Sequence, residues 1–414
     1  MNLAQTLFAI TLLIPGLGLS ALAQSPQGPS VWHPPAYRVN PFSEAARPAV
    51  PSRAVWHPEF GLNNDESELF PSVVLALSGK HWPIPKGSNY IGDPLGMATV
   101  RILCTQANEP VKVSVHVDGL SAPSALRVNL PTPGRYYEIS PADRWDFHKL
   151  SDIYESYPAT VTYSVEAAGV DDGQRTLTIR VRSVNDVPFL VRSRSGKIEN
   201  LSSLFAAYVD ENSPYVEEIL KEALHYHAVN SFDGYQAPPA QVNMQVFAIW
   251  NVLQRRHIHY SNVATPSAAS PDGRVFSQTV RFIDQSINDQ QANCVDGTVL
   301  FASVLYKIGI DPLLVIMPGH MFLGYYLNAA HNELQFLETT LIGAGPQPGR
   351  LNWGFSFIHP VLSTLSYRQY VQALQYGNAE FAQEVRPNLI LRRPGYMVVD
   401  VAKARQAGIF AIPR

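Results

Sequence analysis

The sequence is poor in cysteine, in net charge and in long apolar runs. Its 414 residues hold two cysteines, Cys104 and Cys294, so no more than one disulfide can form within the chain. The formal net charge of -3 gives a polyanion no electrostatic attraction, which argues against a nucleic-acid partner. Beyond residue 27, no apolar run reaches the roughly 18 residues that a membrane-spanning helix needs.

What is present is the composition of a globular protein. Hydrophobic residues make up 46% of the chain and charged residues 16%. At roughly 100 to 200 residues per domain, the length predicts two domains.

The first 23 residues resemble a secretory signal peptide. An apolar stretch is broken at Pro15 and Gly16 and ends in Ala21-Leu22-Ala23, an A-x-A-like cleavage site before Gln24. The stretch has no Lys or Arg ahead of it, so an uncleaved membrane anchor stays open as an alternative. We expect an exported protein, periplasmic or extracellular, that has no membrane span once the signal peptide is removed.

Residues 24–65 are rich in proline, serine and alanine and predict an extended arm rather than a folded unit. The tetrapeptide VWHP occurs there twice, at Val31 to Pro34 and at Val55 to Pro58. A repeat of four residues is too short to indicate any chemistry.

Residues 66–195 alternate between apolar and polar positions. Val111, Val113, Val115 and Val117 share one parity, and turn residues such as Asp118-Gly119 separate the runs, which predicts a small antiparallel β-sandwich-like domain. Cys104 shares the apolar parity of its own run, so we expect a small buried hydrophobe. A disulfide between Cys104 and Cys294 is the alternative, because the compartment is expected to be oxidising.

Helical spacing begins near residue 200. Ser213 and Pro214 predict a helix start, and a second helix is predicted from about Val242 to Arg256. A short strand, His257 to Tyr260, should follow and would place His257 and His259 on one face. No third ligand stands at a recognisable metal-site spacing, so structural or surface histidines are the favoured interpretation and no metal site is predicted.

Cys294 lies at the start of an apolar helix. Asn293 is placed to cap that helix, with Asp296 in a capping-box position, and Gly309 should end it. The helix N-terminus favours the thiolate over the thiol, which makes Cys294 a candidate nucleophile. Capping should turn the Asp296 carboxylate away from the sulfur, and Gly297 should leave room for a substrate or a histidine.

Strands are predicted at Pro312–Met317, His320–Leu327 and Leu334–Leu341, the last two as an antiparallel hairpin. His320 and Glu338 are both even-numbered, and side chains in a strand alternate with period two. A register that pairs position 320 with 338 or with 340 brings the imidazole and the carboxylate together. His320 would then be the general base and Glu338 the group that orients it.

An oxyanion hole could use the backbone N–H of Cys294 together with a donor from the preceding loop. The candidate oxyanion or substrate-positioning residues are Gln278, Gln290, Gln291 and Asn293.

A resemblance rests on these segments: a helix ending in Ile-His-Tyr, then NCVDGTVLFASVLYKIGIDP, GHMFLGYYL and FLETT. In this order they resemble the transglutaminase-like domain of bacterial proteins, within the papain-like fold class, over about residues 200–345. The resemblance implies an α+β chain whose papain-like domain, 200–414, follows the β-sandwich-like domain, with Cys294, His320 and Glu338 as the catalytic triad. The acid is Glu where many members have Asp, and Val295 replaces an aromatic residue that often follows the nucleophile.

The expected function is that of an exported thiol enzyme that acts on amide bonds of a peptide-like or protein substrate, without a cofactor. Hydrolysis and transfer to an amine stay open, and so does the oligomeric state. The alternative is a non-catalytic binding or assembly module that keeps the fold. The tail, with Trp353, Phe355 and a helix predicted over Ser366–Glu384, would line or cover the cleft, or belong to the core.

Overall fold

A computed structural model describes residues 55–61, 67–79, 88–170, 173–192, 196, 198–261, 273–343 and 365–414. The predicted signal peptide, most of the predicted arm, Trp353 and Phe355 lie outside these ranges. Within them, the search for a helix with the length and apolarity to cross a membrane finds none.

The described chain is mixed α+β, with several separate sheets. The strands are, in chain order, β1 (Trp56–Phe60), β2 (Glu68–Leu69), β3 (Tyr90–Gly92), β4 (Ala98–Leu103), β5 (Glu109–Val117), β6 (Ser121–Ala122), β7 (Ser124–Leu130), β8 (Tyr136–Ser140), β9 (Arg144–Trp145), β10 (Tyr157–Ala167), β11 (Gln174–Val181), β12 (Asp186–Arg192), β13 (Ile198–Asn200), β14 (His259–Tyr260), β15 (Val275–Thr279), β16 (Gln291–Ala292), β17 (Pro312–Met317), β18 (His320–Tyr326), β19 (Leu334–Leu337) and β20 (Met397–Asp400).

The α-helices of the described residues are α1 (Pro71–Leu77), α2 (Phe147–Ser151), α3 (Pro214–His225), α4 (Pro239–Arg255), α5 (Ile283–Asn288), α6 (Cys294–Lys307), α7 (Leu365–Glu380), α8 (Arg386–Ile390) and α9 (Val401–Gln406). A π-helical segment, Phe381–Val385, joins α7 to α8. Short 3-10 helices lie at Ser202–Tyr208, Gly234–Gln236 and Thr339–Leu341.

The chain divides into two compact units. The first, here called the β-rich unit, comprises the described residues up to Leu201 together with 273–278. The second, here called the thiol unit because it holds Cys294, comprises the described residues 202–261, 279–343 and 365–414.

The β-rich unit contains a four-stranded sheet of order β1-β4-β8-β3 and a five-stranded sheet of order β2-β11-β10-β5-β7. The alternation predicted for residues 111–117 is present, because the four valines of β5 are buried and the residues between them are partly exposed. The two sheets touch one another, since the Tyr163 hydroxyl on β10 donates to the Glu59 carbonyl on β1 at 2.8 Å.

The end of the predicted arm is part of this sheet structure, so the prediction of an unfolded arm is wrong for the second VWHP. Trp56 and Phe60 are buried, and β1 pairs antiparallel with β4. Pro58 is tolerated because β1 lies at the edge of its sheet, where one side needs no backbone donor. The proline content misled the prediction; the aromatic residues at both ends of the strand supply its buried surface.

Both cysteines are free thiols, so the disulfide alternative is wrong. Cys104 directly follows β4 and is fully buried, as its parity predicted. Its sulfur donates to the Gln106 carbonyl at 3.1 Å. Burial and then the charge of Glu109 raise the pKa of the Cys104 thiol.

The thiol unit is built on a four-stranded sheet of order β19-β18-β17-β20, against which α6 packs. Met317 and His320 pair across a two-residue turn at Pro318-Gly319. Gly319 has φ +76, the left-handed value that a proline-glycine turn needs at its second position. The turn therefore starts β18 at His320, as predicted.

The predicted hairpin of β18 and β19 has one of the two expected registers. Leu323 pairs with Leu337 and Tyr326 with Leu334, which places position 320 in line with 340. The strand ends at Leu337, however, and not at Leu341. The strand ends there because the Glu338 carboxylate accepts a hydrogen bond from the backbone N–H of Thr340. Glu338 thereby caps the 3-10 helix Thr339–Leu341.

Other boundaries in the thiol unit differ from those predicted. The helix predicted from Val242 begins at Pro239, because proline suits a first helical turn. His257 has φ +56 and lies in a turn, so the prediction that it shares a strand face with His259 is wrong. The predicted Ser366–Glu384 helix is α7 and the beginning of the π segment.

Candidate active site

The N-terminus of α6 is fixed by a complete capping box. The Asn293 side chain accepts hydrogen bonds from the backbone N–H groups of Val295 at 2.8 Å and Asp296 at 2.9 Å. The Asp296 carboxylate accepts in return from the backbone N–H of Asn293 at 3.0 Å. Cys294 is the first helical residue and is partly exposed, so its sulfur lies at the helix end and is open to reagents.

Asp296 is directed away from the thiol, as the capping argument predicted. Its carboxylate accepts from the backbone of Arg281 at 2.8 Å and from the Arg281 guanidinium at 2.9 Å. The Asp296 side chain is fully buried, and burial raises its pKa despite these bonds. The sequence prediction missed Arg281, because a partner fifteen residues upstream in a loop leaves no periodic signal.

His320 lies between the thiol and the carboxylate. Its Nε2 atom is 2.8 Å from Oε2 of Glu338, and Cys294 also lies close enough to the ring to act on its protonation. Burial on its own lowers the pKa of His320, but the interactions with Cys294 and Glu338 and their charges outweigh it and raise this pKa to about 10.

Glu338 is buried and well supplied with donors. Besides His320, it accepts from the Thr340 hydroxyl at 2.6 Å and from the Thr340 backbone N–H at 3.0 Å. Burial raises the pKa of Glu338, but the His320 bond and charge and the Thr340 bonds reverse that and lower it. The carboxylate is thus held ionised beside an imidazolium, which stabilises the charge on the ring.

A second carboxyl group, Glu380, joins this cluster and was not predicted. Its Oε2 is 3.9 Å from Nε2 of His320. One potential metal-ligand atom from each of His320, Glu338 and Glu380 lies within 4.8 Å of the other two. Such a set could hold a cation, but a cation would have to displace the proton that joins His320 to Glu338. His320 and Glu338 form the hydrogen bond of this cluster, and Glu380 lies beside it.

Gly297 is buried and faces Thr339, so the predicted room for a substrate is wrong at this position. A Cβ atom there would lie 3.4 Å from the Thr339 hydroxyl and 3.5 Å from its Cβ. The Thr298 hydroxyl donates to the Cys294 carbonyl at 2.7 Å and lies 3.2 Å from the Thr339 hydroxyl. These contacts hold the segment after Glu338 against the first turn of α6.

The candidate oxyanion donors differ in their positions and in the hydrogen bonds that they already make. The side-chain oxygen of Asn293 is committed to the helix cap, and the side-chain amide of Gln290 donates to the Arg256 carbonyl at 3.2 Å. Gln291 is exposed on β16 beside the site, and its backbone pairs with His259. Gln278 lies on β15 in the β-rich unit, so its role stays a prediction.

Tyr260 is a neighbour of the site that sequence reasoning placed only as a strand residue. It pairs with Ala292 in the parallel β14–β16 ladder, two residues before Cys294, and is 47% exposed. Burial, then the charges of Cys294 and Glu338, raise the pKa of Tyr260. Its phenol consequently stays neutral and keeps a proton that it can donate to a bound substrate.

Helix α7 lies directly on β19, the strand that leads to Glu338. The backbone N–H of Glu338 donates to the Ala373 carbonyl at 3.1 Å, and that of Phe336 to the Asn378 side chain at 3.3 Å. Gly377 allows this approach, since a Cβ there would lie 2.8 Å from backbone atoms of Phe336 and Leu337.

Gly377→Ala should therefore destabilise the thiol unit by about 1 to 3 kcal/mol, as overpacking does. Alanine has a helix propensity about 1 kcal/mol better than glycine, but the clash is with backbone atoms that no rotamer change relieves. Urea denaturation of the variant measures the change. The matched control is Gln375→Ala, an exposed position of the same helix, which should stay within about 0.5 kcal/mol. Equal stability of the two variants would contradict the close approach.

No protein-family model matches this chain, and a search of curated proteins finds no match to it.

Proposed function

We propose that the thiol unit is a cysteine-nucleophile enzyme that acts on amide bonds by acyl transfer, with Cys294, His320 and Glu338 as a papain-like, transglutaminase-like triad. One observation carries this proposal: a thiol at a helix N-terminus neighbours an imidazole that is itself 2.8 Å from a buried carboxylate. Nucleophile, base and orienting acid are thereby joined in the order that thiol catalysis needs.

The reaction follows from the protonation states. The raised pKa of His320 favours an imidazolium that has taken the thiol proton, so the sulfur attacks the amide carbon as a thiolate. The imidazolium then protonates the leaving amine as the tetrahedral intermediate collapses to a thioester. In the second half, His320 takes a proton from water or from an acceptor amine, which attacks the thioester and releases Cys294.

The developing oxyanion needs donors near the sulfur. The backbone N–H of Cys294 is at the helix end, where it has no intrahelical acceptor, and the exposed Tyr260 hydroxyl is the side-chain donor that we favour. Gln291 is the other candidate on this side of the site. Asn293 is less suited, because its oxygen is committed to capping.

The proposal includes the rest of the predicted organisation. The β-rich unit would be a sandwich-like accessory domain, and the leading residues would direct export to the periplasm or beyond the cell. The substrate would be a peptide-like or protein amide that is exposed in that compartment. The free thiol of Cys294 supports the proposed catalysis, since a nucleophile held in a disulfide could not react.

Thiol labelling tests the proposal. In the native protein, iodoacetamide at pH 7 should modify Cys294 at least about tenfold faster than glutathione and leave Cys104 unmodified, because Cys104 is fully buried. In denaturant without reductant, two thiols should titrate. Peptide mass spectrometry locates the label, and Cys104 is the internal control.

Labelling of Cys294 no faster than glutathione would favour the non-catalytic binding module instead. A titration that finds no thiol in the unfolded, unreduced protein would show a disulfide and end the catalytic proposal.

A further inference from the structure

Glu380 is placed beside the triad by the packing of α7 on β19. The Glu338 backbone bond to Ala373 and the close approach at Gly377 fix α7 against β19, so that the last residue of α7, Glu380, comes within 3.9 Å of Nε2 of His320. Immediately after Glu380 the helix widens into the π segment, whose Phe381 stacks on Phe336 at 3.8 Å. Single turns of π-helix are rare and often occur at functional sites.

The charged and titratable groups around Glu380 come from four elements. His320 faces it from β18 and Glu338 from the end of β19, while Cys294 on α6 reaches it through His320. Glu384 lies within the π segment, and its carboxylate accepts from the Tyr396 hydroxyl and from Asn388. Glu384 therefore has partners of its own, whereas Glu380 is directed at the triad.

Carboxyl oxygen atoms of Glu338 and Glu380 lie within 4.8 Å of one another, so a negative charge on one disfavours a negative charge on the other. Glu338 is already ionised by its pairing with His320 and accepts the Thr340 bonds. Of the two carboxyl groups, Glu380 is therefore the one that takes up a proton first as the pH falls. Burial, together with the charge of Glu338, raises the pKa of Glu380, while the charge of His320 opposes that rise.

We propose that Glu380 is a positioning residue of this site, a second carboxyl group that donates a hydrogen bond to Glu338 when protonated and adds a negative charge beside His320 when ionised. This inference rests on the proposed function for its catalytic meaning, but its structural content does not. The acidic form keeps Glu338 aligned with the ring. The ionised form stabilises the imidazolium, so that the ring keeps its proton to higher pH.

Two variants separate the two effects. Glu380→Gln keeps a hydrogen-bond donor but carries no charge, and Glu380→Ala keeps neither. At pH 5, alkylation of Cys294 by iodoacetamide should stay within about twofold of wild type in Glu380→Gln and fall about tenfold in Glu380→Ala, since only the alanine variant loses the hydrogen-bond donor to the charged Glu338.

In the alkaline part of the pH profile, Glu380→Gln and Glu380→Ala should show the same change. The pKa of His320, followed by NMR of the imidazole nitrogens and assigned against His320→Asn, should fall by about one unit in both, because each loses the charge at 3.9 Å. The alkaline limb of the alkylation profile should move with it. Glu384→Gln is the matched control, from the π segment that follows α7. The charge of Glu384 acts on Glu380, but its carboxylate is bound to Tyr396 and Asn388, so both readouts should change far less than in the Glu380 variants. All samples are dialysed against EDTA, so that a bound cation cannot produce the shift.

Three outcomes would overturn the proposal. The first is a His320 pKa that is unchanged in both Glu380 variants, and the second is a shift equally large in Glu384→Gln. The third is a loss of Cys294 alkylation rate at pH 5 that is equally large in Glu380→Gln and Glu380→Ala. If wild-type Cys294 reacts no faster than glutathione while the His320 pKa still falls in both variants, the catalytic function fails and the role of Glu380 stands.

Discussion

Replacing His320 with alanine should slow the alkylation of Cys294 by iodoacetamide about a hundredfold at pH 6. A free thiol is almost entirely protonated at that pH, whereas a thiol that has passed its proton to a neighbouring imidazole is ionised. The lower intrinsic nucleophilicity of a stabilised thiolate reduces the advantage but does not remove it. The loss should shrink as the pH rises towards 9, where a thiol without a base ionises on its own.

The chain offers a close control for this substitution. His331 is also paired with a carboxylate, Asp311, at 2.8 Å between Nε2 and Oδ2, and it lies in the turn at the other end of the same hairpin. His331→Ala removes an equivalent pair without touching the thiol, so its alkylation rate should stay within about twofold of wild type. Equal losses in the two variants would mean that the effect is structural, and His320 would then not be the base.

Turnover of an amide substrate should fall further than alkylation does. Alkylation needs only the thiolate, while acyl transfer also needs a proton for the leaving amine, and general acid-base catalysis by one residue contributes on the order of 10² to 10⁴-fold. If amide turnover and alkylation fell to the same extent in His320→Ala, His320 would act on the thiol alone.

The parts of the site that the sequence predicted are those governed by local periodicity. The cap at Asn293 follows from a polar residue before an apolar helix, and it is present with both reciprocal bonds. The side-chain parity of His320 and Glu338 follows from the period of a strand, and the observed register is one of the two that it allowed. Neither inference needed knowledge of distant residues.

The parts that were missed depend on contacts across the fold. Glu380 lies 60 positions after His320, and only the packing of α7 on β19 brings it to the ring. Arg281 meets Asp296 from a loop that has no periodic pattern. Pro58 in β1 concealed a strand, because proline content is a local signal while the burial of Trp56 and Phe60 depends on the partner strand.

Asp296→Ala should destabilise the thiol unit by about 3 to 5 kcal/mol, the usual cost of removing one partner from a buried ion pair. The side chain is fully buried and accepts three hydrogen bonds, two from Arg281 and one from the backbone of Asn293. Its loss leaves a guanidinium that is 16% exposed and two backbone N–H groups without this acceptor. Alanine cannot replace any of these bonds.

Hydrogen exchange measured by mass spectrometry reports this loss locally. Amides of α6 around residues 298–305 should exchange about a hundredfold faster or more in Asp296→Ala, if they exchange through opening of the thiol unit. Amides of β5 provide an internal reference in the same sample, because that strand belongs to the β-rich unit. Asp284→Ala is the matched variant: Asp284 is in the first turn of α5, is 39% exposed and meets Arg414 at 3.5 Å. Its exchange should match wild type, since an exposed pair contributes little.

The same variant distinguishes a structural from a direct role of Asp296 at the thiol. If the carboxylate serves only to hold the helix start, Cys294 in the folded fraction of Asp296→Ala should be alkylated at its wild-type rate. Asp296→Asn should restore part of the protection of α6 amides from hydrogen exchange, because an amide oxygen still accepts from the backbone. If the carboxylate instead repelled the thiolate, alkylation would become faster in both variants to the same degree. A faster rate without faster exchange would therefore contradict the capping role, whereas faster exchange with an unchanged rate is the result expected from a carboxylate bound to Arg281.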